Sequence, residues 1–383
     1  MSSYYSEAQT LLPDLIRWRR KLHQHAEGGY DLPETLSLIR NVLQSHDIAY
    51  SEPCESVIVC DIGQGPCGMI LRADMDALPM QEESGLDFAS QTGWAHTCGH
   101  DIHTTALLGA ACLLKAHETA LHTRTRLVFQ PNEEGIDGAR HIMAHGLITP
   151  DFQGAFALHV SPTLESGIIY YQDGPLYASG DAIRITITGS SAHGAAPHTG
   201  RDPIFAGVQL YNALQGLISR ETPSREPVVL SICAFNGGNA VNVVPGRVEL
   251  LGTLRAYNEE LRAQLKARLQ EICESIGKAL RCQIDLSITT SVPAVINDAG
   301  LNRRIRDTFA LAAPDIRTAP HSEPFSWSED FGLFAEVVPI SMMTLGAHVE
   351  GCTANIHNAD VLFDESALVS GVCAHVCAAL SVE

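Results

Sequence analysis

The chain has 383 residues, longer than one compact core usually runs. Its 45% apolar and 18% charged content is that of an ordinary globular protein and excludes collagen, coiled coil and wholesale disorder. A formal net charge of −19 argues against nucleic acid or an anionic membrane as the main partner, since both require a basic footprint.

Residues 8–22 read as an amphipathic helix. The opening stretch carries Glu7 and Asp14 and lacks the basic start and apolar centre of a secretory signal, so it belongs to the mature chain and a cytoplasmic location is expected. No apolar run reaches the ~18 residues needed to span a bilayer. A second helix follows over 33–45. Short apolar strands are predicted at 57–62 and 68–73, an Ala/Leu-rich buried helix at 104–115, and strands at 126–130 and 155–160. This alternation implies an α/β sheet with helices on both faces.

The pattern changes near residue 178. Residues 181–188 alternate with period two, and a helix pattern covers 202–220. Strands at 228–235 and 247–257 follow, then a helix over 259–280 with Leu261, Leu265, Leu269, Ile272, Ile276 and Leu280 on one stripe. A last strand at 283–289 completes β-α-β-β-α-β, the ferredoxin-like order. The expected organisation is therefore an α/β domain over 1–177, an inserted α+β domain over 178–291, and a return to the α/β domain over 292–383. Eleven cysteines are an odd number, scattered through apolar runs such as those of Cys60, Cys112, Cys233 and Cys273. They read as free thiols in a reducing compartment, mostly small core residues.

Five stretches carry chemistry. In HTCGHDIHTT, Cys98 and His100 flank a glycine, with Asp101 and His103 at a helix start. Thiolate and imidazole so close suit a metal, although a buried cysteine, a capping Asp and surface histidines would give the same letters. In FQPNEEG, Glu133 and Glu134 follow a strand. Adjacent carboxylates repel unless cations neutralise them, and one could bind metal while its neighbour acts as a base. A solvated acidic loop is the plainer alternative. His159 ends an apolar strand, where a satisfied core histidine is the usual occupant. His357 lies late in the chain, in ANIHNAD. Asp74 and Asp76, in LRADMDALP, terminate a strand on one face. Together these stretches set Cys, His, Glu and Asp at strand ends of one α/β domain, where ligands of open α/β sheets gather.

LHQHAEGG, LRADMDALP, HTCGHD, NEEG, ALHV, GSSAHGAAPH, VNVVPG, GTLR and IHNAD occur in that order, essentially end to end. In this the chain resembles the dinuclear-metal aminoacylase and carboxypeptidase-G metallopeptidases, peptidase family M-twenty. The cysteine of HTCGHD resembles the branch of indole-acetyl-amino-acid amidohydrolases and hippurate hydrolases. The resemblance implies two divalent ions per chain, held by Cys98 as a bridging thiolate with His100, Glu134, His159 and His357. It implies Glu133 as general base and Asp76 as the carboxylate that orients a ligand. In other branches a metal-binding His occupies the position of Asp74, so Asp74 is not counted as a ligand. The inserted domain resembles a lid and dimerisation domain. There His193 would reach a neighbouring subunit's site, and Asn242 and Arg255 would hold the substrate's carboxylate or oxyanion.

The implied activity is hydrolysis of N-acyl amino acids by a homodimer. A dipeptidase or carboxypeptidase on the same scaffold is the near alternative. A non-catalytic metal-binding homologue and a thiol redox role for Cys98 are the distant ones. Donor softness favours zinc, nickel or cobalt over manganese; zinc is expected and manganese stays open. Ala26 before Glu27, LPET and WSEDFGLF depart from the family pattern, in positions that leave the implied ligands untouched.

Overall fold

The computed structural model describes residues 4–382. The chain folds as two compact units. One takes the residues up to Leu176, then Ile296–Pro324 and those from Asp330 onward; the other is Tyr177–Val295 with Phe325–Glu329.

The first unit is built on a seven-stranded mixed sheet. Its strands are β1 (Ile58–Ile62), β2 (Cys67–Asp74), β3 (Arg124–Gln130), β4 (Gly154–Ser161), β5 (Ile168–Tyr171) and, late in the chain, Arg317–Pro320 and Ile340–Gly346. The centre is parallel: β2 lies between β3 and β4, and Ile340–Gly346 pairs with β4 on its other side. Helices α1 (Tyr4–Gln24), α2 (Pro33–Ser45), α3 (His100–Ala116) and the C-terminal Leu368–Leu380 pack with one sheet face in a single apolar core. Leu71, Ala73, Leu127 and Phe129 point into that core. Strand alternation sends Arg72 and Gln130 to the opposite face. There they meet Asp330 of a short helical turn and, through it, helix α4 (Gly138–Ala144).

Helix α3 starts four residues before its predicted beginning, so that His100 and Asp101 lie in its first turn. Gly99 makes this possible. It turns with φ +83°, and a Cβ there would stand 2.3 Å from Val160 Cγ1. Residues 100–114 of the helix are buried on every side, as expected of an apolar helix inside a domain.

The second unit is a four-stranded antiparallel sheet. It comprises β6 (Gly180–Thr188), β7 (Val228–Gly237), β8 (Arg247–Ala256) and β9 (Gln283–Val292), in the order β9-β6-β8-β7. Helices α5 (Pro203–Gly216) and α6 (Glu259–Leu280) contribute to its core. This is the ferredoxin-like arrangement read from the sequence. Asp202 caps α5, and Asn258 caps α6, by accepting from backbone amides of the first turn. Ile183, Ile185 and Ile187 face inward from β6. On α6 the buried stripe drifts from the predicted one: Leu261, Leu265, Leu269 and Cys273 are buried, while Ile272, Ile276 and Leu280 flank them. A strict four-residue step rotates around a helix of 3.6 residues per turn, so the seam moves to Cys273.

All eleven cysteines are free. Cys60, Cys112 and Cys273 are buried as expected, but Cys233 is exposed on β7, an edge strand. No helix among the described residues is long and apolar enough to cross a membrane.

Candidate active site

The ends of β2, β3 and β4, the start of α3 and the loop around His357 converge in the first unit. Cys98 Sγ lies 3.5 Å from His159 Nε2, and His357 Nε2 lies 3.4 Å from Glu134 Oε1. His100 Nε2 is 3.9 Å from Glu134 Oε1. Donor atoms of Cys98, His100 and His159 lie within 4.8 Å of one another, and so do those of Cys98, Glu134 and His357. The two triads share the Cys98 sulfur. A third set at the same spacing joins His100 to Glu133 and Glu134.

Asp76 organises the glutamates. The amide of Glu133 donates to its Oδ1 at 2.9 Å and that of Glu134 to its Oδ2 at 3.1 Å. Its Oδ1 also lies 3.7 Å from His100 Nδ1. The strand ends at Asp74, so Asp76 stands in the following loop rather than on the strand with it. The two carboxylates therefore approach His100 at different ring nitrogens. The glutamate turn is tight: Asn132 and Ile136, on either side of the pair, have φ of 55° and 57°, and His357 has φ 64°. Non-glycine residues in this region are uncommon and gather where the surrounding structure imposes them.

Asp74 and His103 are fully engaged elsewhere. The amide of Val160 donates to His103 Nε2 at 2.8 Å, which puts the ring proton on Nδ1; that nitrogen donates to Asp74 Oδ1 at 2.6 Å. Asp74 Oδ2 accepts from Arg72 Nη1 at 2.7 Å. Donor atoms of Asp74 and His103 also lie within 4.8 Å of one of His100, but these hydrogen bonds already occupy both residues. By contrast, both ring nitrogens of His100 and Oε1 of Glu134 are buried with no hydrogen bond. A buried polar atom left so costs ~1–3 kcal/mol. A soft-to-borderline cation is the partner such a thiolate, imidazole and carboxylate set would accept.

In the second unit, His193 and Asn242 are neighbours. Val243 pairs with His193, and the amide of Gly194 donates to the Asn242 carbonyl at 2.7 Å. The amide of Ala195 donates to His193 Nδ1 at 3.0 Å. That leaves the proton on Nε2 of an exposed imidazole, a donor with nothing yet to serve. Arg255 stands apart from them, near the other end of β8, where Nη1 donates to Ser328 Oγ at 2.7 Å.

The sequence pattern of peptidase family M20/M25/M40 matches residues 70–381. The chain belongs to this family. An N-acetyl-L-cysteine deacetylase of Bacillus subtilis is 34% identical, over 94% of this chain and 86% of its own length. IAA-amino acid hydrolase ILR1-like 4 of Arabidopsis thaliana is also 34% identical, over 85% of this chain and 76% of its own. Among solved structures, the Bacillus subtilis YXEP protein, described as a dinuclear metal binding peptidase from the M20 family, matches with a TM-score of 0.84. It is 29% identical, with 98% of this chain and 99% of that one covered. A protein from methicillin resistant Staphylococcus aureus matches with a TM-score of 0.94 at 27% identity, covering 99% of each chain.

Electrostatics in this M20 chain concentrate at the same cluster. Burial opposes the charge on His100, yet the carboxylate of Asp74 and the Cys98 sulfur hold its pKa well above the usual value. Burial also works against the Glu134 carboxylate, but the adjacent His357 and the His100 charge keep its pKa low. His357 is pushed up to about 10 by its contacts with Cys98 and Glu134. Burial drives His159 the other way, toward the neutral ring. Glu134 and His159 are thus held in the forms a cation binds, whereas His100 and His357 would give up a proton to it.

Several supporting residues of this M20 site carried little signal in the sequence. Arg72, Gln130 and Asp330 form a buried polar network behind Asp74, with Arg72 Nη2 donating to Asp330 Oδ1 at 2.9 Å. The one mark of Arg72 and Gln130 is a charged or amide residue inside an otherwise apolar strand; Asp330, in a helical turn, has none. His103 stood in the HTCGHDIHTT motif, but its role as the link between Asp74 and the β4 backbone needed the fold.

Proposed function

We propose that this protein is a metal-dependent amidohydrolase that cleaves N-acyl amino acids to a carboxylic acid and a free amino acid. One observation carries the reading most: the two donor triads that share Cys98. A thiolate common to two triads suits a pair of divalent ions, with His100, Glu134, His159 and His357 as the other ligands. Donor softness favours zinc, with manganese, cobalt or nickel as alternatives. The deacetylase and IAA-amino acid hydrolase among the relatives support the substrate class.

When bound, such ions would acidify water and polarise the amide carbonyl. The remaining work falls to the chain. Glu133, held through its amide by Asp76, takes the proton of the attacking water and returns it to the leaving amine. An amine leaves poorly unless it is protonated, so this return matters as much as the first transfer. His193, with its proton on Nε2, would donate to the oxyanion of the tetrahedral intermediate. Asn242 and Arg255 would hold the substrate's carboxylate or oxyanion, Arg255 with its fork-shaped donor set. The second unit would act as lid and dimerisation domain.

A homodimer is proposed through that second unit. Ile204, Phe205, Val208 and Tyr211 are exposed along α5, and Val229 and Phe235 along the edge strand β7. An apolar helix stripe beside an open edge is a surface a two-fold partner would cover. Light scattering should give twice the chain mass, and Phe205→Glu should shift it toward the monomer. The proposed compartment is the cytoplasm, supported by an odd number of cysteines, all unpaired.

The test is a screen of N-acyl amino acids after zinc or manganese reconstitution, read by amine release. Glu133→Ala should abolish turnover while metal content stays near that of the wild type. An active Glu133→Ala protein would sink the general-base role. A carboxypeptidase reading has support of its own in Thermostable carboxypeptidase 1 of Saccharolobus solfataricus, 32% identical over 94% of this chain. Preference for peptides over blocked acyl amino acids in the same screen would favour it.

A further inference from the structure

We propose that Cys54, His141 and His145 form a second, peripheral site for a borderline-soft divalent cation such as zinc, sharing no residue with the cluster around Cys98. Cys54 comes from the loop before β1, and the histidines from α4 and its C-cap. Donor atoms of all three lie within 4.8 Å of one another. The four-residue spacing sets the two imidazoles one turn apart on one face, with ring centroids 4.7 Å apart. That is the spacing by which helical zinc motifs present two histidines to one ion.

The hydrogen bonds leave one nitrogen of each ring free. His145 Nδ1 lies 2.9 Å from the carbonyl oxygen of His141. Only a protonated nitrogen can make that contact, so the lone pair is on Nε2. Ligating histidines are commonly held this way, with the second nitrogen donating to a backbone carbonyl. His141 Nε2 is buried and has no hydrogen-bond partner. The Tyr30 ring stands edge-on to His141, with centroids 5.2 Å apart. Tyr30 is itself fixed from both sides: its hydroxyl donates to Asp137 Oδ2 at 3.0 Å, and its carbonyl accepts from Ser56, two residues beyond Cys54. One tyrosine thus ties the cysteine loop to the histidine helix.

Two imidazoles and a thiol exclude magnesium and calcium, which require oxygen donors. Three protein donors leave a fourth position for water. Burial raises the Cys54 pKa, so binding should release a proton and tighten as pH rises.

The experiment uses the full chain, stripped of metal, reloaded with zinc and dialysed. Zinc is counted by mass spectrometry, and alkylation of the Cys54 peptide is timed with and without the metal. The wild type should hold one more zinc per chain than His141→Ala/His145→Ala, while hydrolysis is unchanged. Zinc at about ten times its Kd should slow wild-type Cys54 alkylation about tenfold and leave the double variant's rate unaltered. Cys54→Ser should lose the same ion with the helix untouched. Equal zinc content in all three proteins, or Cys54 labelling indifferent to zinc in the folded wild type, overturns the site. The ion count is read without activity, so an inactive wild type that carries the extra zinc still supports it.

Discussion

Asp76 holds Glu133 by its backbone: the glutamate's amide donates to the aspartate's Oδ1 at 2.9 Å, while the Asp76 Oδ2 accepts from the next amide along. The candidate base and the neighbouring candidate ligand are thus positioned by one carboxylate that need not touch substrate. Asp76→Asn replaces one of those acceptors with a donor facing an N–H. Activity should fall ~10–100-fold, as is typical when an outer-shell partner is lost. Thermal unfolding should move little, and an unchanged kcat would remove the positioning role.

Arg72 is buried between Asp74 and Asp330 and hydrogen-bonds both. Arg72→Met would strand two carboxylates in the interior. Removing one partner of a buried ion pair costs ~3–5 kcal/mol, far more than an exposed pair is worth. Denaturant unfolding should register that loss. A loss under about 1 kcal/mol would mean that water or neighbouring groups compensate.

Gly99 has two reasons to be glycine, a positive φ and the contact with Val160. Gly99→Ala should destabilise by ~1–3 kcal/mol through overpacking. Because the residue joins Cys98 to His100, metal retention should fall in the same variant. Ser56 offers the contrast: it already adopts φ 54°, so backbone conformation alone does not demand glycine everywhere.

His23 gives a pH signature of its own, through Asp101 beside the candidate ligand His100. It is buried, with Nδ1 2.9 Å from Asp101 Oδ2 and Nε2 2.9 Å from Glu82 Oε1. Burial opposes its charge, but the two carboxylates prevail and its pKa is pushed up to about 9 from 6.5. A raised folded-state pKa gives stability that is fully present below pH 6.5 and lost as pH climbs through about 9. The amount is about 3 kcal/mol, on the order of 1.4 per unit. Urea titrations across that window should show the decline in the wild type and a flatter profile in His23→Gln. Equal slopes would show that the pair does not hold the proton.

His193→Ala should lower kcat ~100–1,000-fold, the range for loss of one oxyanion donor. The residue is exposed, so unfolding should be nearly unchanged. A change confined to KM would instead make it a substrate-binding contact.

Periodicity alone carried most of the fold. The period-two run of β6 and the leucine stripe of α6 are local features, set by side-chain direction within one element. The order of motifs carried the family and the identity of the cluster. What periodicity could not supply was pairing between distant residues. Nothing local to Arg72 announces Asp330, because their contact depends on which strand end the helical turn is folded against. The tautomers of His103 and His193 likewise depend on backbone amides that only the folded chain presents. The drift of the α6 seam and the exposure of Cys233 have the same origin: a hydrophobic letter records a preference, and the neighbours it meets decide whether it is buried. Cys54 is an unremarkable letter 87 positions before His141, the nearer of the two histidines. Tertiary structure alone brings them within reach of one ion, because the loop before β1 and the helix after β3 are anchored on adjacent, antiparallel strands.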